Sequence, residues 1–238
     1  MILAGSIVAA IAVVWIAFAA WLAHAQRISF RQAFLFAPLA AIWRVNARAL
    51  RGAAKARSTV YVVSHQSRLD PALMLALLPD DTLHILDDHS AKAGWLEPWR
   101  GLARTIAFNP EHVFVSRRLV RVLRGGGTLC VYMPPDIQPN TRTFRLYRAV
   151  ARIALRAEAK VVPVHVSGAR NLPFSLVPRA EAPRRPFAKL TVRALEPATI
   201  GELVARSEAE QSTSSGALYG RVEEARADDE ASAAQKAA

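Results

Sequence analysis

From Met1 through Ala23 no side chain carries a charge, and a run of that length is what a helix needs to cross about 30 Å of hydrocarbon. Trp15 and Trp21 add amphipathic rings toward its end. The rival is a cleaved signal peptide, since Ala23, His24 and Ala25 imitate a small-x-small cleavage site. It fits less well, because Met1 to Ser6 lacks a basic n-region and the apolar core is too long. Arg27 and Arg31 come directly after the run, and the positive-inside bias keeps such residues from being translocated. The expectation is a single-pass anchor over residues 1–25, in an inner (cytoplasmic) membrane, with the remainder of the chain on the cytoplasmic side.

The charge distribution points the same way. The chain of 238 residues has 31 Lys and Arg against 19 Asp and Glu, a formal net charge of +12, which calls for a polyanionic partner. No acidic residue occurs before Asp70, whereas Arg27, Arg31, Arg44, Arg48, Arg51, Lys55 and Arg57 crowd the stretch after the anchor. That placement suits an anionic membrane surface. Nucleic acid is not expected as a partner, since no recognisable module or aromatic stacking pattern accompanies the charge. Residues 26–57 form a basic segment in which Phe30, Phe34, Leu35, Leu39, Ile42, Trp43 and Val45 alternate with arginines. It reads either as an interfacial amphipathic helix kinked at Pro38 or as the first core helix of the soluble domain. The lone Cys130, in an apolar run, excludes an internal disulfide and reads as a small core residue.

Beyond residue 58 the pattern alternates. Strands are expected at Thr59–Ser64, Thr82–Leu86, Thr128–Met133, Lys160–Val166 and Lys189–Leu195. Helices are expected at Pro71–Leu78, Trp95–Arg104, Val115–Leu123 and Arg145–Ala157, and another near Leu218–Arg226 within a polar, partly disordered tail of residues 202–238. Alternating strands and helices give an α/β fold: a mixed sheet flanked by helices in one domain spanning residues 58–201.

Between the first strand and its helix lies Ser64-His65-Gln66-Ser67-Arg68-Leu69-Asp70-Pro71. This sets His65 at the C-terminal edge of a strand and Asp70 at the mouth of a helix, where open α/β sheets hold ligands. The spacing lets Asp70 receive one imidazole N–H, leaving the other nitrogen to take a proton from a hydroxyl. The competing structural account makes Asp70 an ordinary N-cap followed by proline at the first helical position. A second cluster, Asp80, Asp81, His84, Asp87, Asp88 and His89, has metal-type residues. Alternate residues of a strand point to opposite faces, so no metal site is expected. His165, within a strand, reads as a core or rim histidine.

In this context the sequence resembles the glycerolipid acyltransferase family, whose H-x-x-x-x-D motif follows a strand. Ile106, Phe108, Asn109 and Pro110, with Leu119 to Leu123 and Gly125, resemble the second block and following helix of one branch. That branch is the acyltransferase half of bifunctional lysophosphatidylethanolamine acyltransferase/acyl-ACP synthetase. Val162, Pro163, Val164 and Gly168 resemble its fourth block. Val131 to Pro135 stands in place of the third block F-P-E-G, with Pro134 and Pro135 where the family has Glu and Gly, and Ser64 precedes the histidine where Asn is common. The resemblance implies a glycerolipid-acyltransferase-like domain that moves a fatty acyl chain from acyl-ACP or acyl-CoA to a lysophospholipid hydroxyl. It further implies His65 as general base oriented by Asp70, no cofactor or metal, and an acyl-ACP ligase as a possible partner. With the third block altered, Arg117, Arg118, Arg142 and Arg145 are the candidate phosphate-binding residues, since an arginine fork holds phosphate through two N–H groups. The alternative is a catalytically inactive, membrane-anchored lipid-binding or scaffold protein of the same fold.

Overall fold

Three sequence segments rich in β-branched residues, TVYVVS, TLCVYM and KVVPVHVS, form the centre of the sheet. Strands buried on both faces read as continuous apolar runs. They become β1 (Thr59–Ser64), β4 (Thr128–Met133) and β5 (Lys160–Ser167), and β1 pairs parallel with both others, Thr59 facing Thr128 and Lys160. A computed structural model describes residues 2–51, 53–107, 113–134, 137–139, 144–206 and 213–235. Among these, seven strands make one mixed sheet in the order β3-β2-β4-β1-β5-β6, with β7 also on β5. β2 (Leu83–Leu86) and β3 (Arg104–Ala107) are parallel to the centre, whereas β6 (Thr191–Ala194) and β7 (Ala198–Thr199) run antiparallel to β5.

Both faces are covered. Tyr61, Val63, Cys130, Tyr132, Val162 and Val164 bury one face under α2 (Phe30–Trp43) and α3 (Asp70–Leu77), with Phe36, Leu73 and Met74 between. On the other face Val60, Val62, Leu129, Val131 and Val161 pack beneath α6 (Val113–Arg124), α7 (Arg145–Ala157) and α9 (Ser214–Gln235). Cys130 is fully buried, as expected of a small core residue.

Helix α1 (Ile2–Gln26) contains the one helix segment among the described residues that is long and apolar enough to cross a membrane, Ala9–Gln26. Ile7, Ile11, Val13 and Val14 stay exposed, while Ala19 and Leu22 are buried. After a tight turn, Ser29 and Gln32 form a reciprocal capping box that starts α2. This helix runs on through Pro38. Its Gln32, Ala33, Phe36, Ala37, Leu39 and Trp43 are buried, whereas Phe30, Phe34 and Ile42 remain exposed. The core-helix account of this segment therefore holds for one face, and the other keeps apolar groups in contact with solvent.

Three expectations need correction. The helix expected over 95–104 is a 3-10 turn (Gly94–Leu96) and a short α5 (Glu97–Arg100), after which Arg104–Ala107 forms β3. The β-branched Thr105 and Ile106 add as an edge strand on β2, Ile106 facing Ile85. Asp87 caps an unforeseen α4 (Asp88–Lys92) by accepting from His89 N and Ser90 N. The polar C-terminal region holds α8 (Ile200–Arg206) and the long α9, whose Leu218, Val222 and Ala225 are buried and whose Tyr219 packs edge-on against Phe144 and Tyr147.

Gly168 ends β5 at φ +85°, and a Cβ there would stand 2.4 Å from Lys189 O. Left-handed backbone is costly for a side-chain-bearing residue, by about 1–3 kcal/mol before any clash. Gly168→Ala is expected to lower the thermal midpoint of the detergent-purified protein by several degrees or more; an unchanged midpoint contradicts this close approach.

Candidate active site

The chain leaves β1 at Ser64, and His65 N still donates to Met133 O at the end of β4, 2.7 Å away, so the histidine backbone is fixed by the sheet. Leu69 precedes α3 without a side-chain cap. The Asp70 carboxylate is therefore not the N-cap of its helix; it turns back upstream. Asp70 Oδ2 accepts from Gln66 N and Ser67 N, both at 2.8 Å, and lies 3.3 Å from His65 Nδ1. Asp70 is fully buried and His65 is 7% exposed. The two backbone N–H groups fix the position of the carboxylate against the imidazole. With the Nδ1 proton donated to Oδ2, His65 carries its free lone pair on Nε2. Asp70 Oδ1 is buried and has no hydrogen-bond partner among the described residues.

Sequence alone did not bring Tyr132 and His84 to this site. The Tyr132 ring stands edge-on to the His65 imidazole, centroids 5.6 Å apart, and its hydroxyl lies 2.9 Å from His84 Nδ1. These two residues meet because β2 pairs with β4, with His84 facing Cys130. Burial pushes the pKa of His84 down to about 3 and that of Tyr132 well up, so both are neutral near pH 7. The unfolded chain therefore binds a proton at His84 between about pH 6.5 and pH 3 that the folded chain refuses. This contribution to stability is complete above the ordinary value of 6.5 and is lost as the pH falls toward 3. His84→Gln is expected to flatten the loss of denaturant resistance between about pH 7 and about pH 5; an unaltered slope would place the acid sensitivity elsewhere.

His84 thus points into the core, and Asp87 caps α4, so the acidic, histidine-bearing stretch does not converge. Among the described residues no group of three or more His, Cys, Asp or Glu is placed to hold a metal ion. Burial opposes ionisation of Asp87, but hydrogen bonds from Ser90 and His89 and the nearness of His65 hold its carboxyl below the usual range. His165 is buried in β5.

Arg117 and Arg118 are exposed on α6, on the sheet face opposite Tyr132, and Arg145 is exposed at the start of α7. Arg142 lies outside the described residues, as do Phe108, Asn109, Pro110 and Pro135. A basic hollow of about 590 Å³ is lined by Arg51, Lys55, Arg57 and Lys160 among others. It sits where β1 and β5 begin, roughly 20 Å from His65 along the strand, and is separate from this site.

One further segment builds the site. Gln66 O accepts from Leu176 N, and Arg68 N donates to Phe174 O, so the loop after β5 closes over the turn that carries His65. Sequence periodicity has no signal for such a loop.

The sequence pattern of the Acyltransferase family matches residues 44–167, just over half of the chain, and this range includes β1, the His65–Asp70 turn, β4 and β5. The fold is similar to that of a solved structure, the 1-acyl-sn-glycerophosphate (LPA) acyltransferase PlsC from Thermotoga maritima, with a TM-score of 0.52 and 18% identity over 94% of this chain and 92% of that one. The strand, histidine turn and carboxylate found in the structure thus lie inside the segment that carries the family's pattern, and the chain belongs to the acyltransferase family.

Proposed function

We propose that the protein is a membrane-bound O-acyltransferase that moves a fatty acyl chain from a thioester donor, acyl-ACP or acyl-CoA, to the free hydroxyl of a lysophospholipid. The observation that carries this reading is the buried carboxylate of Asp70, held by two backbone N–H groups and set against His65 Nδ1. His65 Nε2 takes the acceptor hydroxyl proton as that oxygen attacks the thioester carbonyl. The C–S bond breaks, and the thiolate leaves and takes up a proton. Asp70 fixes the tautomer and stabilises the imidazolium while it lasts. A thioester is already activated, so deprotonating and aligning the acceptor are the main tasks for the protein. Of the candidate arginines, Arg142 and Arg145 are proposed for contact with the phosphate of the acceptor or donor, whereas Arg117 and Arg118, on the other face of the sheet, are less well placed.

In this proposal residues 1–25 anchor the chain in the cytoplasmic membrane, 26–57 are a basic juxtamembrane segment, 58–201 are the catalytic domain on the cytoplasmic side, and 202–238 are a polar, partly helical tail. PlsC is an acyltransferase of 1-acyl-sn-glycerophosphate, which makes lysophosphatidate one candidate acceptor. The resemblance to the lysophosphatidylethanolamine branch makes that lysolipid the other, with acyl-ACP supplied by a ligase.

The test follows labelled acyl-ACP and acyl-CoA separately into lysophosphatidate and lysophosphatidylethanolamine in membranes containing the protein. Diacyl product from at least one pair, absent from control membranes, is the expected result. No product from any pair would leave the inactive scaffold of the same fold as the better account.

A further inference from the structure

The segment between β5 and β6, residues 168–190, has no regular structure apart from one 3-10 turn at Ala169–Asn171, yet it is tightly fastened. Arg184 reaches back to Arg170 O and Val177 O, closing the segment on itself. Trp43 Nε1 donates to Pro186 O at 2.8 Å, tying it to the end of α2. On the other side Leu176 N donates to Gln66 O at 2.8 Å and Arg68 N to Phe174 O at 3.0 Å, fixing it to the His65 turn.

This fastened loop holds Phe187 76% exposed, Phe174 50% and Leu176 38%. A rigid loop displaying phenylalanine to water is unfavourable unless something apolar covers the ring. The loop also carries five cations, Arg170, Arg179, Arg184, Arg185 and Lys189, against the single acid Glu181. With Arg184 used internally, Arg179, Arg185 and Lys189 remain exposed, Arg185 and Lys189 two positions either side of Phe187 in the chain. Exposed aromatic and aliphatic groups in a segment that also exposes cations match the boundary of a bilayer, where rings enter the headgroup layer and cations meet lipid phosphates.

We propose that residues 168–190 dock on the surface of a bilayer rich in anionic phospholipid, with Phe187 and Phe174 entering the headgroup layer, and thereby seat the His65 turn directly on the lipid. This deepens the proposed function, since a lysolipid could then reach His65 without leaving the membrane. The geometry of α1 and α2 agrees. α2 starts where Gln32 contacts Leu78 O, at the far end of α3, and finishes at this loop; Trp15 of α1 packs on Phe34 of α2. α1 thus turns back along α2 toward the same edge of the sheet as the loop.

The test uses the full chain with its one cysteine removed by Cys130→Ala, reconstituted in vesicles of phosphatidylcholine with or without phosphatidylglycerol. Single cysteines at Phe187→Cys, Ile11→Cys and Arg152→Cys, the last exposed on α7 over the opposite face of the sheet, carry an environment-sensitive fluorophore. In anionic vesicles the label at 187 is expected to be quenched by lipids spin-labelled near the headgroup at least twofold more than the label at 152. The triple change Arg179→Gln, Arg185→Gln and Lys189→Gln is expected to abolish that difference. Quenching at 11 but none at 187 overturns the loop proposal and leaves the anchor standing. Quenching at 187 that is equal in vesicles without phosphatidylglycerol overturns the role of the cations. Neither readout involves acyl transfer, so a failure of the enzymatic reading is seen separately.

Discussion

His65→Ala is expected to lower acyl transfer by about 10²- to 10⁴-fold in washed membranes containing equal amounts of folded protein, the usual range for loss of a positioned general base. The fold is expected to survive. The bond that ties this residue to the sheet, His65 N to Met133 O, belongs to the backbone and persists in alanine. The Asp70 carboxylate keeps its two backbone donors, Gln66 N and Ser67 N, when the imidazole is removed. Activity close to wild type in the alanine variant would remove the histidine from the chemistry.

The second large effect is expected at Asp70. Its carboxylate serves three groups, Gln66 N, Ser67 N and His65 Nδ1, in a position with no access to water. Asp70→Ala strands two buried N–H donors, each at about 1–3 kcal/mol, so a stability loss of about 2–6 kcal/mol is expected together with near-complete loss of turnover. Asp70→Asn keeps the size of the side chain. Its amide oxygen takes the place of Oδ2, where Gln66 N, Ser67 N and His65 Nδ1 converge, so the tautomer is kept and the negative charge that stabilises the imidazolium is lost. That variant is expected to fold and to lose about 10²-fold or more in rate. Denaturant unfolding and acyl-transfer assays on both variants separate the structural from the chemical role. Wild-type stability in Asp70→Ala would contradict the bonding described.

Much of the sheet was legible because its central strands are buried on both faces. TVYVVS, TLCVYM and KVVPVHVS have no polar alternation to confuse the pattern. The short edges were not legible. RTIA carries only two β-branched residues, too few to compete with the helical pattern of the preceding tryptophans, and β7 is two residues long. α9 was read short because its apolar contacts, Leu218, Val222 and Ala225, are sparse in an Ala/Glu/Arg background.

At the site, the spacing of His65 and Asp70 announced the pair. What holds it did not show, because Gln66 and Ser67 act through backbone N–H groups that leave no side-chain signature. Tyr132 and His84 are 48 residues apart, and only the β2–β4 register makes them neighbours. The arginines are a different case. Residue type suggested a phosphate cradle, but α6 packs beneath the other face of the sheet, and Arg117 and Arg118 face solvent there.

The most direct test of a base oriented by a carboxylate is a double-mutant cycle on acyl transfer with His65→Ala, Asp70→Asn and both together. If Asp70 acts through His65, adding Asp70→Asn to His65→Ala changes the rate by less than about threefold. Two losses that multiply would show that the carboxylate serves the reaction independently of the imidazole, and would contradict the account.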